Sequence, residues 1–348
     1  MSANNPFSLN FGKEPDRFVE RTDAYLKITD QLNSISPSQN TFMVTGVRGS
    51  GKTVLMTSIA NEYREKDDWV VVSLNSSRDL LEMLAATLYE NQKLQRVFIS
   101  AKLNLSRFGI GLNIEKVPPV SDIQIAIEKM ASLAKDNGTN ILITIDDITK
   151  SNNLVAFANA FQDLLSKGYP VFLIMTGLYE NVYALKNDKR CSFLVRAEEI
   201  RLKPLSIIGM KNQYQQTFQC GEDIALQMAT FTKGYSFAFQ VLGYIAWEKG
   251  LDLAAIEDEF DERMATYFYE KIWDDLSEKE KEIVMLLVEN GKMKTKDMIE
   301  ALDTNSNVFS VQKNRLIKKG IVDNSEYGLN SLMLPRFSEF VKLNAYEL

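Results

Sequence analysis

Histidine is absent from all 348 residues, and cysteine occurs only at Cys191 and Cys220. The first absence excludes Ser-His and Cys-His catalytic arrangements, imidazole bases and histidine-ligated zinc. The second leaves no disulfide framework and no cysteine-based metal site. Chemistry in this chain must rest on carboxylates, lysine, arginine and a bound metal. No apolar run reaches bilayer-spanning length. The opening Met-Ser-Ala-Asn-Asn-Pro has neither the basic nor the apolar region of a secretion signal. A cytoplasmic protein that makes no use of a membrane is expected. The net charge of −6 argues against a surface that coats nucleic acid broadly, leaving room only for a local basic element. There is no internal repeat and no low-complexity tract. The length suits two or three domains.

What is present begins with Phe42-Met43-Val44-Thr45, an apolar run that feeds the turn Gly46-Val47-Arg48-Gly49-Ser50-Gly51-Lys52-Thr53 and then, from Val54, a helical pattern. Gly46, Gly51, Lys52 and Thr53 match the phosphate-loop spacing G-x-x-x-x-G-K-[ST]. Glycines let main-chain N–H groups approach a polyphosphate, and the start of a helix adds unpaired donors and its dipole. Residues 46–54 are therefore the expected nucleotide cradle. Lys52 would reach the terminal phosphates, and the Thr53 hydroxyl would ligate Mg2+.

Before this loop, residues 1–22 read as an extended arm. A helix follows with Tyr25, Leu26, Ile28 and Leu32 on one stripe. After the loop, apolar runs at residues 69–74, 141–145 and 171–176 alternate with helical patterns at 79–89, 121–135 and 154–165. That alternation predicts an α/β core around a parallel sheet covered on both faces. Residues 101–116 differ. Leu103, Leu105, Phe108, Ile110, Leu112 and Ile114 alternate with polar residues, which predicts an inserted β-hairpin. It would either cover the sheet edge or project toward DNA or a neighbouring subunit. Past Pro204 the pattern turns helical. The expected organisation is an arm (1–22), a core (23–205), a small helical domain (206–275) and a terminal module (276–348).

The run Ile141-Leu142-Ile143-Thr144-Ile145 ends in Asp146-Asp147, as a buried strand does when it releases carboxylates at its C-terminal end, where ligands bind in open α/β sheets. This is a Walker B pattern. Asp146 would hold Mg2+ through water, and Asp147 stands where ATPases usually place the glutamate that polarises the attacking water. Thr176, ending the next strand, is expected to orient that water. Arg190, Arg196 and Arg201 are candidates for a finger that stabilises charge on a neighbouring subunit's nucleotide. Arg196 is the choice, because apolar Phe193, Leu194 and Val195 would fix its position; surface salt-bridging is the competing role.

These residues together resemble the AAA+ superfamily, and within it the branch that holds archaeal origin-recognition ATPases and STAND-type ATPases. The resemblance is carried by residues 18–21, 46–53, 143–148, 175–178, 193–197, 201–206 and 234–236, in order along nearly the whole chain. It implies a P-loop NTPase core with a helical lid, ATP and ADP as ligands, Mg2+, and self-association through ATPase cores under nucleotide control. Four positions depart from the family pattern. Glu20-Arg21 replaces Gly-Arg, Asp147 replaces glutamate, Ser236 replaces a STAND proline, and the lid helix after Gly234 has no sensor arginine. Slow hydrolysis is the expectation.

In the terminal module, Ser277 and Glu280 form a capping-box signature. A helix that starts after Ser277 and presents Ile283, Leu286 and Leu287 to a core, a second from 295 and a third over about 305–319 are followed by a stop at Gly320 and a two-strand wing over 321–329. This resembles a winged helix-turn-helix. Lys313, Arg315, Lys318 and Lys319 on the third helix, with no acid between Asn305 and Lys319, would contact double-stranded DNA. Acidic and basic residues nevertheless balance over 277–348. Two readings stand: an ATP-controlled DNA-binding ATPase, or a STAND-type signalling switch whose winged helix contacts protein. A small-molecule P-loop kinase would have no use for the C-terminal extension.

Overall fold

A computed structural model describes residues 4–10, 15–111 and 117–344. The chain divides into two compact units, one of Thr22–Thr45 with Lys52–Arg201, the other of Met1–Arg21, Gly46–Gly51 and Leu202–Leu348.

The first unit runs α1 (Thr22–Leu32), β1 (Thr41–Thr45), α2 (Lys52–Arg64), β2 (Trp69–Leu74), α3 (Leu80–Glu90), α4 (Gln92–Ser100), α5 (Ile123–Asp136), β3 (Asn140–Ile145), α6 (Asn152–Ser166), β4 (Val171–Gly177), α7 (Tyr179–Lys186) and β5 (Glu198–Arg201). The strands form one sheet in the order β2-β3-β4-β1-β5, every pair parallel. β1 and β4 are buried at every residue, as apolar strands covered on both faces must be. Since β4 lies between β1 and β3, its C-terminal Thr176 neighbours both the end of β1 and the carboxylates that follow β3. Helix starts are fixed locally. Asp79, Asp122 and Ser151 each accept first-turn N–H groups of α3, α5 and α6, and each such cap contributes about 1 kcal/mol.

The hairpin expected at 101–116 does not form over its described part. Residues 101–111 contain no strand, only a 3-10 turn at Ser106–Phe108; residues 112–116 lie outside the described residues. The alternation that suggested strands has another cause. Leu103, Leu105 and Ile110 are anchors of a loop laid on the core. Asn104, 1% exposed, locks that loop by donating to the Val117 carbonyl at 2.6 Å and accepting the Val120 amide at 3.0 Å.

The second unit contains α8 (Ile207–Phe218), α9 (Glu222–Phe231), α10 (Ser236–Lys249), α11 (Leu253–Met264), a π-helical turn at Ala265–Tyr269, α12 (Glu270–Asp274), α13 (Glu278–Asn290), β6 (Met293–Lys294), α14 (Thr295–Ala301), α15 (Ser306–Lys318), β7 (Val322–Asp323), β8 (Leu329–Leu332) and α16 (Phe337–Asn344). β6, β8 and β7 form an antiparallel sheet in that order. Over residues 278–332 the succession is helix, strand, helix, helix, strand, strand. The N-terminal arm belongs to this unit because Phe7, 2% exposed, stacks on Phe218 and meets Phe239 edge-on. The Phe7 ring fills the space a side chain at Gly243 would need.

Candidate functional site

In the first unit, three polar side chains converge at the C-terminal edge of the sheet. The Thr53 hydroxyl, in the first turn of α2, donates to Asp146 Oδ2 at 2.8 Å. The Thr176 hydroxyl, at the end of β4, donates to Asp146 Oδ1. Thr176 Oγ1 also accepts the Asp147 amide at 3.0 Å, and the Thr176 carbonyl accepts the Ile148 amide at 2.8 Å. Thr176 is fully buried. Its hydroxyl orients Asp146 and shapes the chain after β3. Asp147 is exposed, with φ +46°, a left-handed conformation that Asp and Asn adopt more readily than other non-glycine residues.

The donor set fits Mg2+. A hydroxyl and a carboxylate lie side by side, both hard oxygen ligands. Among the described residues there is no cluster of three His, Cys, Asp or Glu side chains to hold a metal alone. An ion held by Thr53 and by Asp146 would complete its shell with water and phosphate, as Mg2+ does.

In the second unit, the turn at residues 46–51 is held by its carbonyls. The Tyr235 hydroxyl donates to the Arg48 carbonyl. The Phe237 amide, in the first turn of α10, donates to the Gly49 carbonyl at 3.1 Å. Arg21 donates to the Ser50 carbonyl and to the Lys203 carbonyl, each at 2.6 Å. With three successive carbonyls tied down, the orientations of the intervening peptide planes are set, and with them the directions of their N–H groups. Burial pushes the Tyr235 phenol up, so it stays a donor. Burial also lowers the Arg21 guanidinium to about 10, still charged at neutral pH. Gly49 and Gly51 have φ of +68° and +89°, which glycine adopts without penalty. A Cβ at Gly46 would stand 2.5 Å from Ser50 Oγ. That oxygen is buried with no hydrogen-bond partner among the described residues, an orphan that a phosphate oxygen would satisfy. α2 begins at Lys52, which places the donor-rich first turn of a helix at the loop's exit.

Sequence spacing brings out Gly46, Gly51, Lys52, Thr53 and the Asp146-Asp147 pair. Tyr235, Phe237 and Arg21 as holders of the loop go unseen. Tyr235 lies 187 positions from Arg48, and no local pattern marks that pairing.

The three arginines separate. Arg190 is bonded to Asp188 at 2.9 and 3.0 Å and to Asn152 at 3.2 Å. With Lys150 it holds the Asp188 carboxyl well below the usual range. Arg201 lies 4.9 Å over the Tyr179 ring and pairs with Glu199 at 3.7 Å. Arg196 is exposed and, among the described residues, lacks any such partner. It is placed by buried Cys191 and Leu194; Val195, expected to help, is 62% exposed. On α15, Arg315 and Lys318 are exposed and Lys313 is half-buried, donating to Thr295 Oγ1 at 3.3 Å. Lys319 departs from the expected basic face. It turns inward to Glu280 Oε2 at 3.0 Å and to the Asp275 carbonyl at 3.1 Å, because the nearly buried Glu280 carboxylate requires a cation.

A family model described as an ATPase domain predominantly from Archaea matches residues 18–219. Another, described as a domain of unknown function, matches residues 266–341. Among curated proteins, none matches this chain. Of the solved structures it is similar to, the ORC2 protein of Aeropyrum pernix in its ADPNP–ADP complexes has a TM-score of 0.62 at 13% identity, covering 99% of this chain and 98% of that one. Cdc6p of Pyrobaculum aerophilum has a TM-score of 0.50 at 16% identity, covering 97% of each. At such identities the likeness establishes the fold: the parallel-sheet P-loop NTPase architecture. No helix among the described residues is long and apolar enough to cross a membrane. With more than half of its length matched, the chain belongs to the family of ATPase domains found predominantly in Archaea.

Proposed function

We propose that this protein binds Mg2+-ATP in the loop 46–54, hydrolyses it slowly, and uses the change of nucleotide to control DNA binding by its C-terminal module. The observation that carries the reading is the Asp146 carboxylate held between the Thr53 and Thr176 hydroxyls. Lys52 contacts the terminal phosphates, and the amides of residues 47–54 cradle the rest. A divalent ion at Thr53 and Asp146 would neutralise developing phosphate charge. Asp147, exposed beside that pair, takes the role of polarising water. Arg196 is offered outward to a second copy's nucleotide. Arg315 and Lys318, with Lys313 at their edge, contact phosphates of double-stranded DNA. The similar Aeropyrum pernix structure is of ADPNP–ADP complexes, which supports the nucleotide assignment.

The test is calorimetric titration of ADP and ATPγS, with and without Mg2+, into the parent protein and Asp146→Asn. Mg2+ should tighten binding to the parent and have little effect on the variant. Equal Mg2+ dependence in both would remove Asp146 from the metal site.

A second reading, a signalling switch whose terminal module contacts protein, draws on one observation: Lys319 is committed inward rather than to the outer face of α15. Tightly co-purifying nucleotide with no salt-sensitive DNA affinity would favour it.

A further inference from the structure

The loop has a second set of neighbours in its own unit, and the chemistry above does not use them. Gly320, after the residue Lys319 that caps α15, has φ +67°, and a Cβ there would overlap the Val47 Cγ1 methyl. Arg48 pairs with Asp275 at 3.4 Å. Lys319 ties these contacts together. Its ammonium bonds the Asp275 carbonyl at 3.1 Å and Glu280 Oε2 at 3.0 Å, while Glu280 also accepts the Ser277 amide at 2.9 Å. Lys319 thus ties Gly320 of the C-terminal module to Asp275, the residue just before that module, in one braced face, and Val47 and Arg48 rest on it.

A glycine at the end of a helix is ordinarily explained by left-handed backbone alone. Gly138, following α5 with φ +71°, is such a case, with no atom within 4 Å of a built Cβ. Gly320 meets a further demand, since the loop's second residue occupies the space a side chain would take. The Arg48–Asp275 pair is about one-third and two-fifths exposed and by itself contributes little. The steric seat is the stronger constraint, because packed atoms have nowhere to move.

We propose that Gly320 and Asp275 are positioning residues for the phosphate loop: the C-terminal module through the seat for Val47, and the end of α12 through the pair with Arg48, set the loop conformation that binds nucleotide. The inference rests on the nucleotide-binding reading given above. Coupling between two sites is reciprocal, so nucleotide on the loop must in turn alter the state of the end of α15.

The test is a titration of the full-length protein with mant-ADP and Mg2+, comparing the parent, Gly320→Ala, Gly138→Ala, Val47→Ala and the Val47→Ala/Gly320→Ala pair. Gly138 and Gly320 end their helices alike, with φ of +71° and +67°, each with its own amide bonded three residues back and the next amide five residues back. Gly320→Ala is expected to weaken binding about tenfold in the parent and under about threefold in the Val47→Ala background, the scale of ordinary site-to-site coupling. Gly138→Ala should bind as the parent does. Equal effects of the two glycine variants, or no relief by Val47→Ala, overturn the inference. Hydrogen exchange on the unmutated protein supplies a readout that does not depend on a variant folding. Mant-ADP should slow exchange at Ile321 and Val322, and unchanged rates there count against the coupling. A folded parent that fails to bind mant-ADP defeats the nucleotide reading itself, whereas a parent that binds beside an indifferent Gly320→Ala defeats only the coupling.

Discussion

The carboxylate cluster and the phosphate loop are held in opposite ways. At Thr53, Asp146 and Thr176, side chains bind side chains, and each comes from the end of a strand or the start of a helix. The sheet register brings Asp146 to Thr176, and the first turn of α2 carries Thr53 to Asp146. At residues 46–51 the main chain is held, through its carbonyls, by a phenol, an amide and a guanidinium from distant parts of the chain. The first arrangement fixes side chains through one another, and the second fixes the directions of main-chain N–H groups through the carbonyls of the same peptide planes. Under the proposed function, the first would serve hydrolysis and the second nucleotide affinity.

This contrast can be broken most forcefully at Asp147. Asp147→Asn should lower the steady-state hydrolysis rate by about 10²–10⁴-fold, the usual contribution of a positioned base, while nucleotide titration shows affinity unchanged. Hydrolysis at the parent rate would remove Asp147 from the chemistry. Next in size, Lys52→Ala should weaken ATP binding by about a hundredfold, the scale of removing one or two charge-assisted hydrogen bonds. A Kd within a few-fold of the parent would mean that the loop does not hold phosphate.

Arg315→Ala with Lys318→Ala should weaken duplex DNA binding and reduce the slope of log affinity against log salt by about 2, one for each phosphate left without its cation. An unchanged slope would take α15 out of the interface. Smallest, and sharpest on the contrast itself, is Tyr235→Phe. It removes one hydroxyl that holds a carbonyl and should raise the Kd for ADP by about two- to tenfold, the net value of one such bond. Hydrolysis per bound ATP should stay near the parent's. A change in hydrolysis with no change in affinity would mean that Tyr235 serves the carboxylate cluster instead.

Legibility from sequence follows the same division. β1, β3 and β4 are nearly pure apolar runs, because strands covered on both faces leave no polar option, and the glycine-lysine-threonine spacing is short-range. β5 goes unread. Its Glu198-Glu199-Ile200-Arg201 is an edge strand that buries one residue of four, so periodicity has nothing to register. The loop at residues 101–111 misleads for the reverse reason: alternating anchors imitate a strand without main-chain pairing. The helical pattern past Pro204 is interrupted by the π turn at Ala265–Tyr269, which buries Tyr269 and has no composition mark. At the site, the Asp146-Asp147 pair is readable as a strand end, but the full engagement of Thr176 is not. That depends on a register between β3 and β4 that pairs Ile145 with Met175. Lys319 shows the limit of charge counting. Four cations on one helix suggest one surface, yet a single buried acid claims one of them.

The left-handed backbone at Asp147 bears on which sequences this site can drift toward. For most residues that conformation costs about 1–2 kcal/mol, and the short side chains of Asp and Asn are the exceptions. Glutamate, though it would extend the carboxylate by one methylene, has no such tolerance. The most readily accommodated replacement is asparagine, one base change away in the codon table, and it has no charge to polarise water. Under the role proposed for Asp147, a lineage built on this backbone stands a single nucleotide substitution from exchanging a hydrolysing switch for one that binds ATP and keeps it.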